Sequence, residues 1–345
     1  MFEKVSCKNK NIKLSVAIPT YNEARYIREA LDSIISQLGE INEEVEIVVS
    51  DNASTDETSE IIGEYQRKYP FIKYFCNDEN LGADRNFDLA VRRSKGEYVW
   101  LFSDDDKLKS GAIKKVLEVL KKYPNIGLIW VNYGIYNEDL NVCSMERRDL
   151  KTMGDVYCSS ADEFYNTTHI LSTACSTNIV KRSSWDNVDK EKFISSNFVH
   201  VGVISSYLIK ENSAYCINYP YVMIRMRRVT RWANNGKLLI YSVNLASIIR
   251  GLPKKGYKKD TINKIFNQHI ISDMRKVCLN AKLQNLNLNF SLLKAMIKNY
   301  GKYPSFWLID LPILLLPNQV YRSKTIKLMY RMVKKTYKKL KSGLS

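Results

Sequence analysis

Residues 99–108 read VWLFSDDDKL. Five residues, mostly apolar and aromatic, run straight into Asp104, Asp105 and Asp106. Such a run has the character of a buried strand, yet it ends on three adjacent negative charges. Like charges side by side raise one another's carboxyl pKa values unless a cation compensates them. A solvated turn accommodates one or two acids; three after a buried run point to a cation. Oxygen-only ligands suit a hard ion, Mg²⁺ or Mn²⁺, and Mg²⁺ is typically held by one or two carboxylates plus phosphate oxygens. The strand end therefore reads as half of a metal site, with a diphosphate supplying the other half.

Working outward, the first 137 residues alternate between strand-like and helix-like segments. Strand character falls at 13–20, 45–52, 72–77, 97–103 and 126–136. Helical spacing falls at 24–38, 56–69, 83–94 and 110–123. Alternation of this kind predicts an α/β fold with a mostly parallel central sheet covered by helices on both faces. Ligands of such sheets bind beyond the carboxyl ends of the strands. The polar clusters Thr20-Tyr21-Asn22-Glu23, Ser50-Asp51-Asn52 and Asp104-Asp105-Asp106 all fall at those ends. Past about residue 150 the alternation fades. Residues 172–185 read as strand and turn, 198–210 as a helix or buried segment, and 237 onward as basic and helical.

Charge separates the same two regions. Residues 1–150 carry 21 Lys+Arg against 26 Asp+Glu, whereas 151–345 carry 32 against 10, so the net +17 comes wholly from the second part. A basic surface of that kind suits a polyanion or an anionic membrane. The seven cysteines include no C-x-x-C pair, which argues against a zinc site or a disulfide framework and favours a reducing compartment. The opening MFEKVSCKNKNIKLS lacks the apolar stretch of a secretory signal. The apolar run FWLIDLPILLLP at 306–317 is interrupted by Asp310 and Pro312 and falls short of the about 20 residues that span a bilayer. No G-x-x-x-x-G-K-[ST] or G-x-G-x-x-G turn occurs, which disfavours P-loop NTPases and dinucleotide oxidoreductases.

Three segments carry a resemblance: VAIPTYNEARYIREALDSI, EIVVSDNASTDET and NLGADRNFDLAVRRSKGEYVWLFSDDD. In order and spacing they resemble the family 2 glycosyltransferases of the GT-A fold, the nucleotide-diphospho-sugar transferase architecture. The chain, its second half included, resembles the abequosyltransferases and related dideoxyhexosyl transferases of O-antigen synthesis, through DRNF at 84–87, WLFSDDD at 100–106, STNIVKRSSWDNVD at 176–189 and the Phe-Val-His of 198–200. The resemblance implies a GT-A domain over 1–235, with a nucleotide-binding half at 13–137 and an acceptor half at 138–235. A basic helical region that associates with membrane follows at 236–345.

It also implies roles by position. Pro19, Tyr21, Glu23, Asp51, Asn80, Gly82, Arg85 and Asp104 contact the nucleotide, with Asp51 reading the pyrimidine. Asp105 and Asp106 bind the metal, with Asp105 the main ligand. The common motif is D-x-D-D, and Ser103 stands here at its first position. Val199-His200 occupies the region where the family often places an acidic pair, so His200, with Asp106, is the catalytic candidate. Arg228-x-x-Arg231-Trp232 resembles the Q-x-x-R-W of processive members and suits a diphosphate or acceptor.

The resulting expectation is a sugar transfer from a nucleotide-diphosphate sugar, CDP-abequose or a similar dideoxyhexose, to a lipid-linked polyprenyl-diphosphate saccharide. Mg²⁺ or Mn²⁺ would serve as cofactor. The protein would be cytoplasmic and peripheral at the inner face of the cytoplasmic membrane. There the segment 320–341, with nine Lys+Arg and no acid, meets anionic lipid. Two alternatives are a UDP-sugar hexosyltransferase of capsule or teichoic-acid assembly, and a basic nucleic-acid-binding protein.

Overall fold

A computed structural model describes residues 12–39, 43–146, 154–168, 173–227, 237–267, 272–283 and 288–317. The chain divides into two compact units: Met1–Arg228 with Gly251–Ile265, and Val229–Arg250 with Phe266–Ser345.

The first unit opens with β1 (Leu14–Thr20), α1 (Ile27–Ile35), β2 (Val45–Asp51), α2 (Thr58–Lys68), β3 (Ile72–Cys76), α3 (Ala83–Arg93) and β4 (Tyr98–Leu101). Every residue of β1, β2 and β4 is buried, as a sheet covered on both faces requires. In α1 the stripe Ile27, Ala30, Leu31 and Ile34 is buried, which matches the spacing seen in the sequence. Strand order is β3-β2-β1-β4, all parallel. The chain thus steps outward on one side of β1 and then returns to pair on its other side. Order reverses between β1 and β4, and it is beyond the carboxyl ends at such a switch point that ligands of these sheets bind.

Beyond β4 the sheet is mixed. The next elements are β5 (Lys107–Leu108), α4 (Ala112–Lys122), β6 (Leu128–Tyr136), β7 (Cys143–Glu146), β8 (Val156–Cys158), α5 (Ala161–Thr168), β9 (Asn178–Lys181), α6 (Arg182–Asp186), α7 (Val199–Glu211) and β10 (Ala214–Arg225). Strand β9 inserts antiparallel between β4 and β6. Strand β6 therefore reaches only β10 in a parallel sense. The parallel sheet read from the sequence holds for the first four strands, and the second half departs from it. An apolar run reports burial on two faces but not direction, and β9, with Ile179 and Val180 fully buried, looks the same either way. The expected helix or buried segment at 198–210 is α7.

One short pairing matters for the site. Strand β5 follows Asp106 directly and pairs antiparallel with β10, Leu108 opposite Val222 and Lys107 opposite Met223. That register carries the end of β10, with Arg225 and then Arg227, back to the acidic tip.

Helix α9 (Lys259–Ile265) completes the first unit. The second unit contains α8 (Lys237–Gly251) up to Arg250, α10 (Ser272–Leu283), α11 (Phe290–Tyr300), a π-helical turn at Phe306–Asp310 and α12 (Leu311–Leu315). Its interior includes Leu239, Val243, Met274, Cys278, Met296, Tyr300, Phe306 and Leu314. The Arg250 guanidinium lies 4.2 Å from the Phe266 ring centroid, and its Nε donates to the Asn299 carbonyl at 2.6 Å. Among the described residues no helix is long and apolar enough to cross a membrane.

Candidate functional site

Four chain segments meet at the carboxyl end of the sheet. Pro19 lies buried in β1 opposite Ser50 of β2, and Thr20 lies opposite Asp51. The two strand tips are tied directly: the Asn52 N–H donates to the Thr20 carbonyl at 3.0 Å. Asn22 and Ala53, one beyond each strand, adopt left-handed backbone with φ of 54° and 61°. Non-glycine residues seldom do so, and the conformation persists where the surroundings dictate it. Here the Asn22 carboxamide oxygen accepts the Thr55 N–H at 2.6 Å, and the Asn22 N–H donates to Ser54 Oγ at 2.9 Å. Tyr21 is 38% exposed beside this knot.

Asp51 is wholly buried and locally engaged. Its Oδ1 accepts from the Ser54 N–H at 3.0 Å and Oγ at 2.5 Å, and its Oδ2 accepts from the Tyr74 hydroxyl at 2.7 Å. For Asp51 to touch a base, Tyr74 or the 52–54 turn has to swing aside. Asn52 is the hub of the neighbouring loop. Its Nδ2 donates to Asn80 Oδ1 at 2.7 Å, and its Oδ1 accepts from Asn77 Nδ2 and from the Leu81 N–H. Asn80 Oδ1 also accepts the Gly82 N–H at 2.9 Å. Gly82, with φ of 84°, begins α3 in a conformation that favours glycine. Loop 77–82 is thereby pinned to the end of β2.

Within α3, Asn86 is buried and bridges back to β2, its Nδ2 donating to the Ser50 carbonyl at 2.8 Å. Arg93 donates to Ser50 Oγ at 2.6 Å and Asn77 Oδ1 at 2.7 Å. Arg85 takes a different place. It points to the surface in a fork with Glu191, at 3.0 and 3.1 Å.

The acidic tip is internal. Asp104 and Asp106 are buried, and Asp105 is half-buried. Burial first, then the Asp105 and Glu23 charges, hold the Asp104 carboxyl well above the usual carboxylate range. Burial and the Asp105 charge push Asp106 up to about 7, against two hydrogen bonds that favour its anion. Those bonds come from Ser176 Oγ at 2.6 Å and the Arg225 N–H at 3.0 Å. Ser176 Oγ in turn accepts the Ser103 N–H at 2.9 Å. Asp105 is thus the least buried member of the triplet. Its Oδ1 accepts from Ser103 Oγ at 2.5 Å, and its Oδ2 meets Arg227 Nε at 2.7 Å. Ser103, at the position where the family motif has Asp, acts here as a donor to Asp105.

Arg227 joins the two acidic tips. Its terminal nitrogens form a fork with Glu23 at 2.9 and 2.8 Å while its Nε and one terminal nitrogen hold Asp105. The guanidinium stacks over the Tyr26 ring at 4.6 Å, as does that of Arg225 at 4.5 Å. Arg225 Nε donates to the Asp105 carbonyl at 2.7 Å. The sequence reading passed over both arginines in favour of Arg228, Arg231 and Trp232, which lie outside the described residues. A basic stretch directly after a β-run was the available signal, but which of its arginines turns inward depends on the β5–β10 register.

His200 lies in α7, buried against Phe87 at a centroid distance of 5.7 Å, with Nε2 2.9 Å from the Thr173 carbonyl. Burial drops its pKa to about 4, so the imidazole is neutral at pH 7. Its contact falls on the segment that leads to Ser176, and through Ser176 to Asp106.

A metal ion fits this donor set in one way. Among the described residues no group of three His, Cys, Asp or Glu side chains could hold an ion unaided. One outward carboxylate, Asp105, together with phosphate oxygens is the pattern Mg²⁺ accepts, provided Arg227 releases Oδ2.

The comparisons agree with this architecture. Residues 15–179 match the model described as Glycosyl transferase family 2. The chain belongs to glycosyltransferase family 2. It is 32% identical over 233 residues to the abequosyltransferase RfbV of Salmonella typhimurium, covering 61% of this chain and 66% of that protein. It is 35% identical over 107 residues to the GalNAc(5)-diNAcBac-PP-undecaprenol beta-1,3-glucosyltransferase of Campylobacter jejuni, 31% of this chain and 34% of that one. The chain therefore spans about two thirds or less of the length of these relatives. Residues 1–349 of S. aureus TarS, solved in complex with UDP, superpose with a TM-score of 0.61 at 19% identity, covering 95% of this chain and 92% of that one. The family 2 chain thus has a GT-A type fold: a mixed sheet with helices on both sides.

Proposed function

We propose that this family 2 chain transfers a sugar from a nucleotide-diphosphate sugar to a lipid-linked saccharide in bacterial O-antigen or related surface-polysaccharide synthesis. A CDP-linked dideoxyhexose is the favoured donor, supported by the likeness to the abequosyltransferase over 233 residues. The observation that carries the reading is the meeting of Glu23, Asp105 and Arg227 at the carboxyl end of the sheet, where strand order reverses.

In this reading the nucleoside lies over the tips of β1 and β2, on Pro19, Tyr21, the Asn52–Asn80–Gly82 loop and, once Tyr74 or the 52–54 turn opens, Asp51. The diphosphate lies by Asp105. A divalent cation held there would offset the negative charge that grows on the leaving diphosphate as the glycosidic bond breaks. Arg227, set free from Asp105, forks onto phosphate oxygens with the geometry it now uses on carboxylates. Asp104 and Asp106 are held inward by burial and hydrogen bonds and fix the direction of Asp105. The sugar carbon gains positive charge in an oxocarbenium-like state while an acceptor hydroxyl attacks. His200 serves the acceptor side by holding the 173–176 segment.

The test is thermal-shift screening of the full chain against CDP, UDP, GDP and dTDP ligands with Mn²⁺. Stabilisation by the CDP ligands supports the dideoxyhexose donor, and stabilisation by UDP ligands alone moves the reading to hexosyl transfer. A flat response to all four removes the donor site.

A further inference from the structure

The run Phe306–Leu315 is inside-out for a helix in water. It is continuous, a π-helical turn leading into α12, with Leu311 at φ −66° and ψ −46°. Its inward stripe is Phe306, Asp310 and Leu314, at 1%, 3% and 3% exposure. The charged residue is therefore on the buried side, where Asp310 lies 4.0 Å from Arg275. The outward face is apolar: Trp307 46%, Leu308 77%, Ile309 37%, Leu315 62% and Leu316 44% exposed. Of the apolar run read from the sequence, Phe306 and Leu314 belong to the core, Leu311 and Ile313 are half-buried, and the remaining apolar side chains face out. Single exposed leucines need no explanation, but five large apolar residues on one short helical run do.

Charge around this face selects the partner. Trp307 Nε1 donates to the Gly301 carbonyl at 2.7 Å, which ties the run to the end of α11. Along and just past that helix Lys294, Lys298 and Lys302 are exposed. The run continues in sequence into residues 318–345, which hold nine Lys+Arg and no acid. Apolar side chains with an interfacial tryptophan, next to exposed lysines and followed in sequence by a basic segment, complement an anionic lipid surface. We propose that the outward face of residues 307–316 inserts into the headgroup region of an anionic bilayer and holds the chain there. The inference deepens the function proposed above, because a lipid-linked acceptor is presented at such a surface.

The experiment floats the full chain with phosphatidylcholine vesicles, with and without phosphatidylglycerol, beside the double variant Leu308→Gln/Leu315→Gln. Both leucines are largely exposed, so the variant keeps the wild-type circular dichroism and melting temperature. Wild type is expected to float with the phosphatidylglycerol vesicles, and the variant to partition about tenfold or more weakly. Equal flotation of the two proteins overturns the proposal, because basic residues alone then suffice. Failure of wild type to float overturns it too. So does a wild-type dimer that the variant converts to monomer by light scattering, which assigns the face to a second copy. Nucleotide-sugar binding measured on the same samples separates the two readings: it persists when only the lipid contact fails, and it is absent in wild type when the donor site fails.

Discussion

Arg227 is a cation that the chain itself supplies to an acidic site. Its fork to Glu23 and its contacts with Asp105 are mostly shielded, at 15% side-chain exposure for the arginine and 11% and 17% for the acids. Removing one partner of such a cluster leaves the other charges facing each other with little water to screen them. Arg227→Met keeps the bulk over Tyr26 and deletes the charge. It is expected to cost about 1–3 kcal/mol in urea unfolding at neutral pH, discounted from a fully buried pair for partial exposure. Mn²⁺ should restore much of that loss in the variant and bind it more tightly than it binds nucleotide-free wild type, since the freed Asp105 oxygen is the one the ion needs. Equal Mn²⁺ affinity in the two proteins would show that arginine and ion do not compete there. Legibility at this scale was uneven. Asp51 and the triplet stood out because acids at the end of apolar runs are unusual. Arg227 did not, because its neighbours Arg225 and Arg228 have the same composition, and only pairing geometry distinguishes them. Ser176 was hidden for the same reason: a serine acquires meaning here only through Asp106 and the Ser103 N–H.

At the scale of elements, α7 and the 173–177 segment transmit packing to the acidic tip. Asp84 of α3 accepts from the N–H groups of Asn197 and Val199, at 2.8 and 3.1 Å, and so caps the start of α7. His200, one residue further, holds the Thr173 carbonyl. Burial lowers the His200 pKa to about 4, against an ordinary value of 6.5. The unfolded chain therefore binds a proton between those values that the folded chain rejects. The contribution of His200 to stability is complete above about pH 6.5 and falls as pH drops towards 4, by roughly 3 kcal/mol at most, opposite in sign to that of the raised Asp104 and Asp106 carboxyls. His200→Phe, which fits between Phe87 and Phe198, should flatten that part of the stability profile in unfolding measured from pH 4 to 7. An unchanged slope would mean that this histidine is not the group titrating. Ser176→Ala breaks the next link. It leaves Asp106 Oδ2 and the Ser103 N–H without their shared hydroxyl, at an expected cost of about 1–3 kcal/mol and with weakened donor binding, read by calorimetry. Most helices and strands of the first 137 residues were readable because each is regularly patterned between turns; the two-residue β5 was not. The strand within 172–185 was readable as β9, but its antiparallel insertion between β4 and β6 was not, since a strand arriving from distant sequence is placed by its neighbours and not by its own pattern.

The whole molecule brings one site together from chain segments after β1, β2, β4 and β10, and that has a thermodynamic consequence. A ligand touching all four binds only the native state and stabilises it by an amount set by its concentration over its Kd, about 2.7 kcal/mol at a hundredfold excess. In the proposed reading nucleoside and diphosphate contacts fall on different segments, and Asp105 would accept an ion only as Arg227 leaves it for phosphate. Nucleotide and ion should therefore be cooperative. The melting temperature of the full chain is expected to rise by several degrees with nucleoside diphosphate and Mn²⁺ together, by clearly more than the sum of the two separate shifts, and chelation should return it to the nucleotide-only value. Strict additivity would mean that the ion and the diphosphate do not share Asp105. The same experiment weighs the charge asymmetry of the chain. Were the +22 of residues 151–345 the main source of affinity, inorganic diphosphate would stabilise as well as the nucleotide and the shift would collapse with added salt. Recognition of the nucleoside by Asn52, Asn80 and the two strand tips predicts the opposite, a preference for the nucleoside that salt reduces only modestly.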